Sequence, residues 1–307
     1  MPIIEARGVR KTYRRRGKPP KAALDGLDLV VEEGGVHGFL GPNGSGKTTM
    51  LRCLLGLARP DDGAMQLLGR PVPDELPAVI GNTGALLESP AFFPPFTGRL
   101  NLQLLAQASE IPKAQVEAVL DLVQLSDAAD ERVKGYSLGM RQRLGIAAAL
   151  LKQPSVLILD EPSNGLDPAG MREVRQLLRA LGDSGVTVLL SSHLLGEVQQ
   201  ICDTVTIVNH GRVVVAGPVT DVLQSRSSGA IAVGVADSEA ALTVLTEAGF
   251  TAHLMDGRIT VDGVADGAVI VETLASRQVY PSWVMPVQVD LEQAFLELTD
   301  DVEGGTS

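Results

Sequence analysis

Apolar and polar positions along this chain change rhythm several times, and each change predicts an element. Residues 27–31 alternate and residues 36–40 run apolar, with Glu32-Glu33-Gly34-Gly35 between them as a turn signal, so two strands are predicted to lead into Gly41. After that Gly-rich turn, residues 48–58 carry helical spacing. The runs VLILD at 156–160 and VTVLLS at 186–191 are continuous β-branched and leucine segments, the pattern of parallel strands buried on both faces. Residues 1–220 are therefore predicted to form an α/β sheet domain. Between about 84 and 153 helical spacing replaces the strand pattern, as at 113–125 and 140–151, which predicts a helical insertion into the sheet domain.

Past Gly217 the order reads strand 230–235, helix 238–249, strand 250–255, strand 258–262, helix 266–277, strand 282–288. This βαββαβ order is the split arrangement of ferredoxin-like domains, so residues 221–307 are predicted to be a small α+β C-terminal domain. A last helix is predicted at 291–299, where Leu291, Ala294, Phe295 and Leu298 share one face that needs a partner.

Composition sharpens this division. A chain of 307 residues that is 45% hydrophobic can build one large and one small core. No apolar run approaches the roughly 20 residues that span a bilayer. Glu5 and Arg7 interrupt the apolar start, which argues against a signal peptide. Cys53 and Cys202 lack metal-ligand partners at usable spacing and read as free buried thiols of a reducing cytoplasm, and the four histidines are too scattered for a metal site. Residues 221–307 hold 14 acidic and 3 basic side chains while residues 1–220 hold 23 of each, so the net charge of −11 lies wholly in the C-terminal part. No nucleic-acid partner is expected of such a balance, because phosphate binding needs clustered cations. The one basic cluster, Arg10, Lys11, Arg14, Arg15, Arg16, Lys18 and Lys21, is predicted to lie in a solvated loop ending in Pro19 and Pro20, the alternative being a phosphate or lipid contact.

Candidate chemistry begins at Gly41-Pro42-Asn43-Gly44-Ser45-Gly46-Lys47-Thr48, followed by Thr49, which fits the phosphate-binding loop and stands between a predicted strand and helix. Its glycines let backbone N–H groups turn toward a β-phosphate, Lys47 bridges β and γ oxygens, and Thr48 offers a hydroxyl to Mg²⁺. Alone, that loop fits kinases, GTPases and motor ATPases equally. The strand ending in Asp160-Glu161 adds a carboxylate for Mg²⁺, at Asp160, and at Glu161 one that can polarise an attacking water. A nucleoside triphosphate and Mg²⁺ are the expected ligands, with Lys47 and Glu161 as catalytic residues.

With these parts in place, Tyr136-Ser137-Leu138-Gly139-Met140-Arg141-Gln142-Arg143 resembles the signature peptide of ATP-binding-cassette (ABC) proteins, and it precedes the Asp160-Glu161 pair as in that family. The resemblance implies a P-loop NTPase cassette with a helical insertion. It implies that Ser163-Asn164-Gly165-Leu166-Asp167 is a dimer-contact loop, that His193 is a catalytic switch histidine, and that Tyr13 stacks on adenine. The alternatives are a capping histidine and a half-buried strand aromatic. Ser137 and Gly139, at a helix start, could hold a γ-phosphate, and the resemblance implies that this is the phosphate bound by another copy, in a head-to-tail homodimer enclosing two ATP, the expected nucleotide.

Two signature positions depart from the family, Leu138 for the usual Gly and Met140 for the usual Gln. Glu88 stands where many cassettes carry Gln and is similar in this to the bacitracin-resistance branch of antibiotic exporters. It reads as a further Mg²⁺ ligand or as a solvated loop carboxylate. Phe92, Phe93 and Phe96 among Pro90, Pro94 and Pro95 suit either a docking surface for a permease helix or packing inside the insertion. The function implied is an ATP-hydrolysing subunit that couples dimer closure to a separate integral membrane permease exporting a drug, antibiotic or lipid-like cargo. Such a subunit sits peripherally on the cytoplasmic face of the membrane. Its rival is a soluble ABC-type ATPase acting on ribosomes or DNA, disfavoured by a single cassette without a charged linker or long coiled coil. A regulatory or dimer-supporting role is expected of residues 221–307.

Overall fold

The computed structural model of the chain describes residues 1–14, 17, 19–87, 91–224, 230–255, 257–264 and 266–287. Strands β1 (Pro2–Tyr13), β2 (Lys21–Glu32) and β3 (Val36–Leu40) lead to α1 (Lys47–Leu54), followed by β4 (Asp62–Leu67), β5 (Arg70–Val72), α2 (Leu76–Val79) and β6 (Thr83–Leu86). Helices α3 (Gly98–Ala108), α4 (Lys113–Leu122) and α5 (Leu138–Leu150) come next. Then follow β7 (Val156–Asp160), α6 (Pro168–Asp183), β8 (Thr187–Ser192), α7 (Leu195–Val198), β9 (Thr204–Asn209), β10 (Arg212–Pro218) and α8 (Val219–Gln224). Among the described residues no helix is long and apolar enough to cross a membrane.

The chain divides into two compact units, the first running Met1–Val219. It holds an antiparallel sheet in the order β2-β1-β4-β5 and a six-stranded sheet in the order β10-β9-β3-β8-β7-β6. In the latter β3, β6, β7, β8 and β9 are parallel and only β10 runs antiparallel, against β9. Every residue of β3, β7 and β8 is buried, as continuous apolar runs require of strands covered on both faces. One core joins the two sheets through α1, with Leu27 and Leu29 of the first sheet, Met50 and Leu54 of α1, and Phe39 and Leu189 of the second. Burying each such side chain contributes about 1.5–3 kcal/mol.

Two expectations need correction. The helical insertion does not begin at 84, because Gly84, Ala85 and Leu86 belong to β6 and pair in parallel with Leu157, Ile158 and Leu159 of β7. Four residues are too few to reveal a period, and Gly84 adds no side chain to one. A Cβ there would lie 2.4 Å from the carbonyl oxygen of Ala149 in α5, so the glycine allows that helix to close on the strand. Nor is the basic segment wholly a loop. Arg10 and Lys11 lie in β1 and Lys21 opens β2, with Tyr13 opposite Lys21 across the ladder. The alternation of β1 is broken by Gly8, in the left-handed region at φ 60°, where the register with β2 shifts between Ala6 and Val9. Arg15, Arg16, Lys18, Glu88 and Pro90 lie outside the described residues.

The second unit begins at Thr220. It comprises β11 (Ile231–Val235), α9 (Ser238–Glu247), β12 (Thr251–Met255), β13 (Arg258–Asp262), α10 (Gly267–Ser276) and β14 (Pro281–Pro286). Its strands form an antiparallel sheet in the order β12-β13-β11-β14. Ile231, Val233, Ile259 and Val261 alternate onto one face and pack with Leu245 of α9 and Ile270 and Leu274 of α10. Asp237 and Asp266 cap the two helices by accepting from the N–H groups of Ala240 and Ala268 at 3.0 and 2.9 Å. The helix predicted at 291–299 lies outside the described residues.

Candidate active site

Sites in parallel α/β sheets form beyond the carboxyl ends of the strands, and the chain's polar residues gather there. Three neighbouring strands matter: β3 runs into residues 41–49, β8 beside it ends at Ser192 before His193, and β7 beside that ends at Asp160 before Glu161.

The loop after β3 is held close to its surroundings by glycines. A Cβ on Gly41 would lie 2.2 Å from the carbonyl oxygen of Val208, and one on Gly46, at φ 113°, 2.5 Å from that of Ala23. Gly46 caps α1 without a side chain, and no acidic residue occupies the first turn. The positive end of the helix, with its unpaired N–H groups, is thereby left to face an anion. Ser45 adds a buried hydroxyl without a hydrogen-bond partner. An orphaned polar group in such a loop fits one that meets a ligand.

Lys47 is 6% exposed. Its Nζ donates to the carbonyl oxygens of Gly41 at 2.7 Å and Pro42 at 3.4 Å and lies 3.3 Å from Glu161 Oε1. The other carboxylate oxygen of Glu161 accepts from His193 Nδ1 at 2.7 Å. Glu161 therefore bridges Lys47 and His193. Asp160, 7% exposed, accepts a hydrogen bond from the Ser191 hydroxyl. The same hydroxyl accepts from the Glu161 N–H at 3.0 Å, so Ser191 fixes both carboxylate residues. Sequence reading missed Ser191, whose only signal was a serine near the end of a buried strand.

A cavity of about 740 Å³ opens over this group. Asn43, Gly44, Gly46, Lys47, Thr48, Thr49 and Glu161 line it on the loop side, and Tyr13, Pro19, Pro20, Lys21 and Ala23 complete the lining. Tyr13 is 38% exposed, and the Lys11 ammonium lies 5.8 Å from its ring centroid. Lys21 belongs to the basic cluster whose favoured reading is a solvated loop and whose alternative is a phosphate or lipid contact, and Ala23 was not anticipated.

Ser137 and Gly139 are not among the residues that line the cavity. Ser137 is exposed and caps α5, accepting from the Met140 N–H at 3.1 Å. Leu138 is also exposed, and a Cβ on Gly165 would lie 3.2 Å from its side chain. Asp167 caps α6 by accepting from the Gly170 N–H at 2.9 Å. Glu88 lies outside the described residues.

A family model described as ABC transporter matches residues 24–164. Over 303 residues the chain is 37% identical to an uncharacterized ABC transporter ATP-binding protein, YhcH, of Bacillus subtilis, an alignment spanning 98% of this chain and 97% of that one. It is 38% identical over 244 residues to the bacitracin transport ATP-binding protein BcrA of Bacillus licheniformis, covering 79% and 78% of the two chains. Among solved structures it resembles an ATP-binding cassette described as a dimer in a post-hydrolysis state bound to ADP and Pi. The TM-score is 0.63 at 25% identity, covering 70% of this chain and 98% of that one.

Proposed function

The chain belongs to the ABC transporter family as one of its ATP-binding proteins, and from that premise we propose that two copies close head to tail on two ATP, hydrolyse them, and pass the motion to a separate membrane permease. The bridging of Glu161 between Lys47 and His193 beneath the cavity carries this reading. A triphosphate entering the cavity exchanges the carbonyl and carboxylate contacts of Lys47 for β and γ oxygens. That exchange frees one Glu161 oxygen to take a proton from water, while His193 keeps the other in place.

Thr48 and Asp160 are the oxygen donors we assign to Mg²⁺, with Glu88 as a further candidate. Among the described residues no cluster of three or more His, Cys, Asp or Glu side chains could hold a metal. The hydroxyl of Thr48 and the carboxylate of Asp160 are hard oxygen donors of the kind that suits Mg²⁺. When bound, the ion offsets charge on the β and γ oxygens.

Tyr13 is assigned to the base, residues 41–49 to the phosphates, and Ser137 with Gly139 to the γ-phosphate of the other copy. The exposure of Ser137 at a helix start, away from the cavity lining of its own chain, supports that last role. For the permease we assign the groove of about 400 Å³ between β6 and the helices, which Phe92 and Leu105 help line. Phe93, 60% exposed, and Phe96 extend the apolar surface nearby. The similarity to BcrA, a bacitracin transport ATP-binding protein, supports an exported drug, antibiotic or lipid-like cargo here. The protein would then sit on the cytoplasmic face of the membrane, bound through its permease. Residues 1–220 form the ATPase domain. The βαββαβ order and sheet order β12-β13-β11-β14 support a ferredoxin-like class for the domain at 221–307, to which we assign a regulatory or dimer-supporting role.

Glu161→Gln in the full chain should retain ATP binding and lose about 10²–10⁴-fold in hydrolysis, the usual worth of a general base. An unchanged turnover would overturn the mechanism. Tagged protein should co-purify with a membrane permease from detergent extracts; recovery with ribosomes instead would favour a soluble ATPase.

A further inference from the structure

The basic segment between Arg10 and Lys21 has no part in the mechanism so far, yet its described members have different fates. Arg10 pairs with Asp25, and Lys11 Nζ lies 3.0 Å from Asp61 Oδ1. Lys21 makes no ion pair with a described residue. It stands directly opposite Tyr13 in the β1–β2 ladder, and both side chains line the nucleotide cavity. Lys21 Nζ lies beside the loop, 3.7 Å from where a Cβ on Gly44 would stand. The aromatic platform, the Lys21 ammonium and the phosphate-binding loop thus border one space.

We propose that Lys21 contacts the α-phosphate of the bound nucleotide. The inference rests on the ATP site described above and adds a residue to it. With adenine against Tyr13 and the β and γ phosphates against Lys47, the connecting α-phosphate passes the intervening wall, where Lys21 meets Gly44. An ammonium on a flexible four-carbon stem can reach a phosphate oxygen without demanding one fixed geometry. The contact is partly exposed, so salt screens it. Pro19 and Pro20 restrict the backbone just before Lys21, limiting the freedom lost when the contact forms.

An α-phosphate is common to ADP and ATP, and the test follows from that. Dissociation constants for both nucleotides would be measured on the full-length chain as wild type, Lys21→Ala, Lys21→Arg and Lys47→Ala. Lys21→Ala should weaken ADP and ATP by the same factor, about three- to tenfold for one charge-assisted contact. That factor should shrink at high salt, and Lys21→Arg should restore most of the affinity. Loss for ATP alone would overturn the α-phosphate assignment. No loss for either nucleotide, while Lys47→Ala weakens binding, would overturn the role of Lys21. If Lys47→Ala also left both constants unchanged, the ATP site itself would be misplaced, a separate failure.

Discussion

Glu161 holds its position with φ at 50°, a left-handed conformation that costs a non-glycine residue about 1–2 kcal/mol. Its N–H is held by both the carbonyl and the hydroxyl oxygen of Ser191, and its carboxylate by Lys47 and His193. Replacing Ser191 by Ala should therefore misplace the base more than the nucleotide. We expect kcat to fall by about tenfold, the worth of one such hydrogen bond in the transition state, with nucleotide affinity nearly unchanged. Equal kcat in steady-state assays would contradict this positioning role. His37 offers a second test. It is buried in β3 beside the hydroxyls of Thr204 and Thr206, at 2.7 and 3.0 Å, and burial lowers its pKa from 6.5 to about 4. Its neutral form is favoured by the fold, so the contribution is complete above the unfolded value and is lost as pH falls toward about 4, by at most about 3 kcal/mol. Denaturant midpoints should fall with pH over that window, and less steeply in His37→Gln. The residues of 41–49 were legible because one contiguous peptide carries both the turn and the charge. Ser191 was not, and Lys21 only as the less favoured alternative of a phosphate or lipid contact, because only strand pairing brings them beside Glu161 and Tyr13.

At the scale of elements, legibility followed burial. Strands β3, β7 and β8 are covered on both faces and announce themselves as apolar runs, whereas β1 carries a bulge at Gly8 and β6 is four residues long. The helix predicted at 140–151 starts two residues earlier, where Ser137 caps it more sharply than periodicity shows, whereas α3 and α6 were not predicted. The joint from β3 through the loop to α1 tolerates little change. Gly46→Ala should clash with the Ala23 carbonyl and strain a left-handed residue, costing about 1–3 kcal/mol of stability. We expect a lowered melting temperature together with weakened ATP binding. Wild-type values for both would mean that this close approach does not constrain the loop.

For the whole molecule, the charge asymmetry and the change of element order at about residue 220 made two units legible, and the observed division falls at Val219 and Thr220. Partners were legible only through the family resemblance of the signature peptide, because one chain contains only half of the proposed sandwich. A stop after Gln224 should retain nucleotide binding but impair pairing or transport; full ATPase, assembly and transport would contradict a supporting role for the C-terminal domain. The proposed closure on ATP has its most direct test in the mass of the full-length Glu161→Gln chain, measured by light scattering with bound nucleotide quantified. With saturating Mg²⁺ and ATP it should show twice the single-chain mass and one retained ATP per chain, reverting to single chains without nucleotide. A single-chain mass at saturating Mg²⁺ and ATP would contradict closure of two copies around the nucleotide.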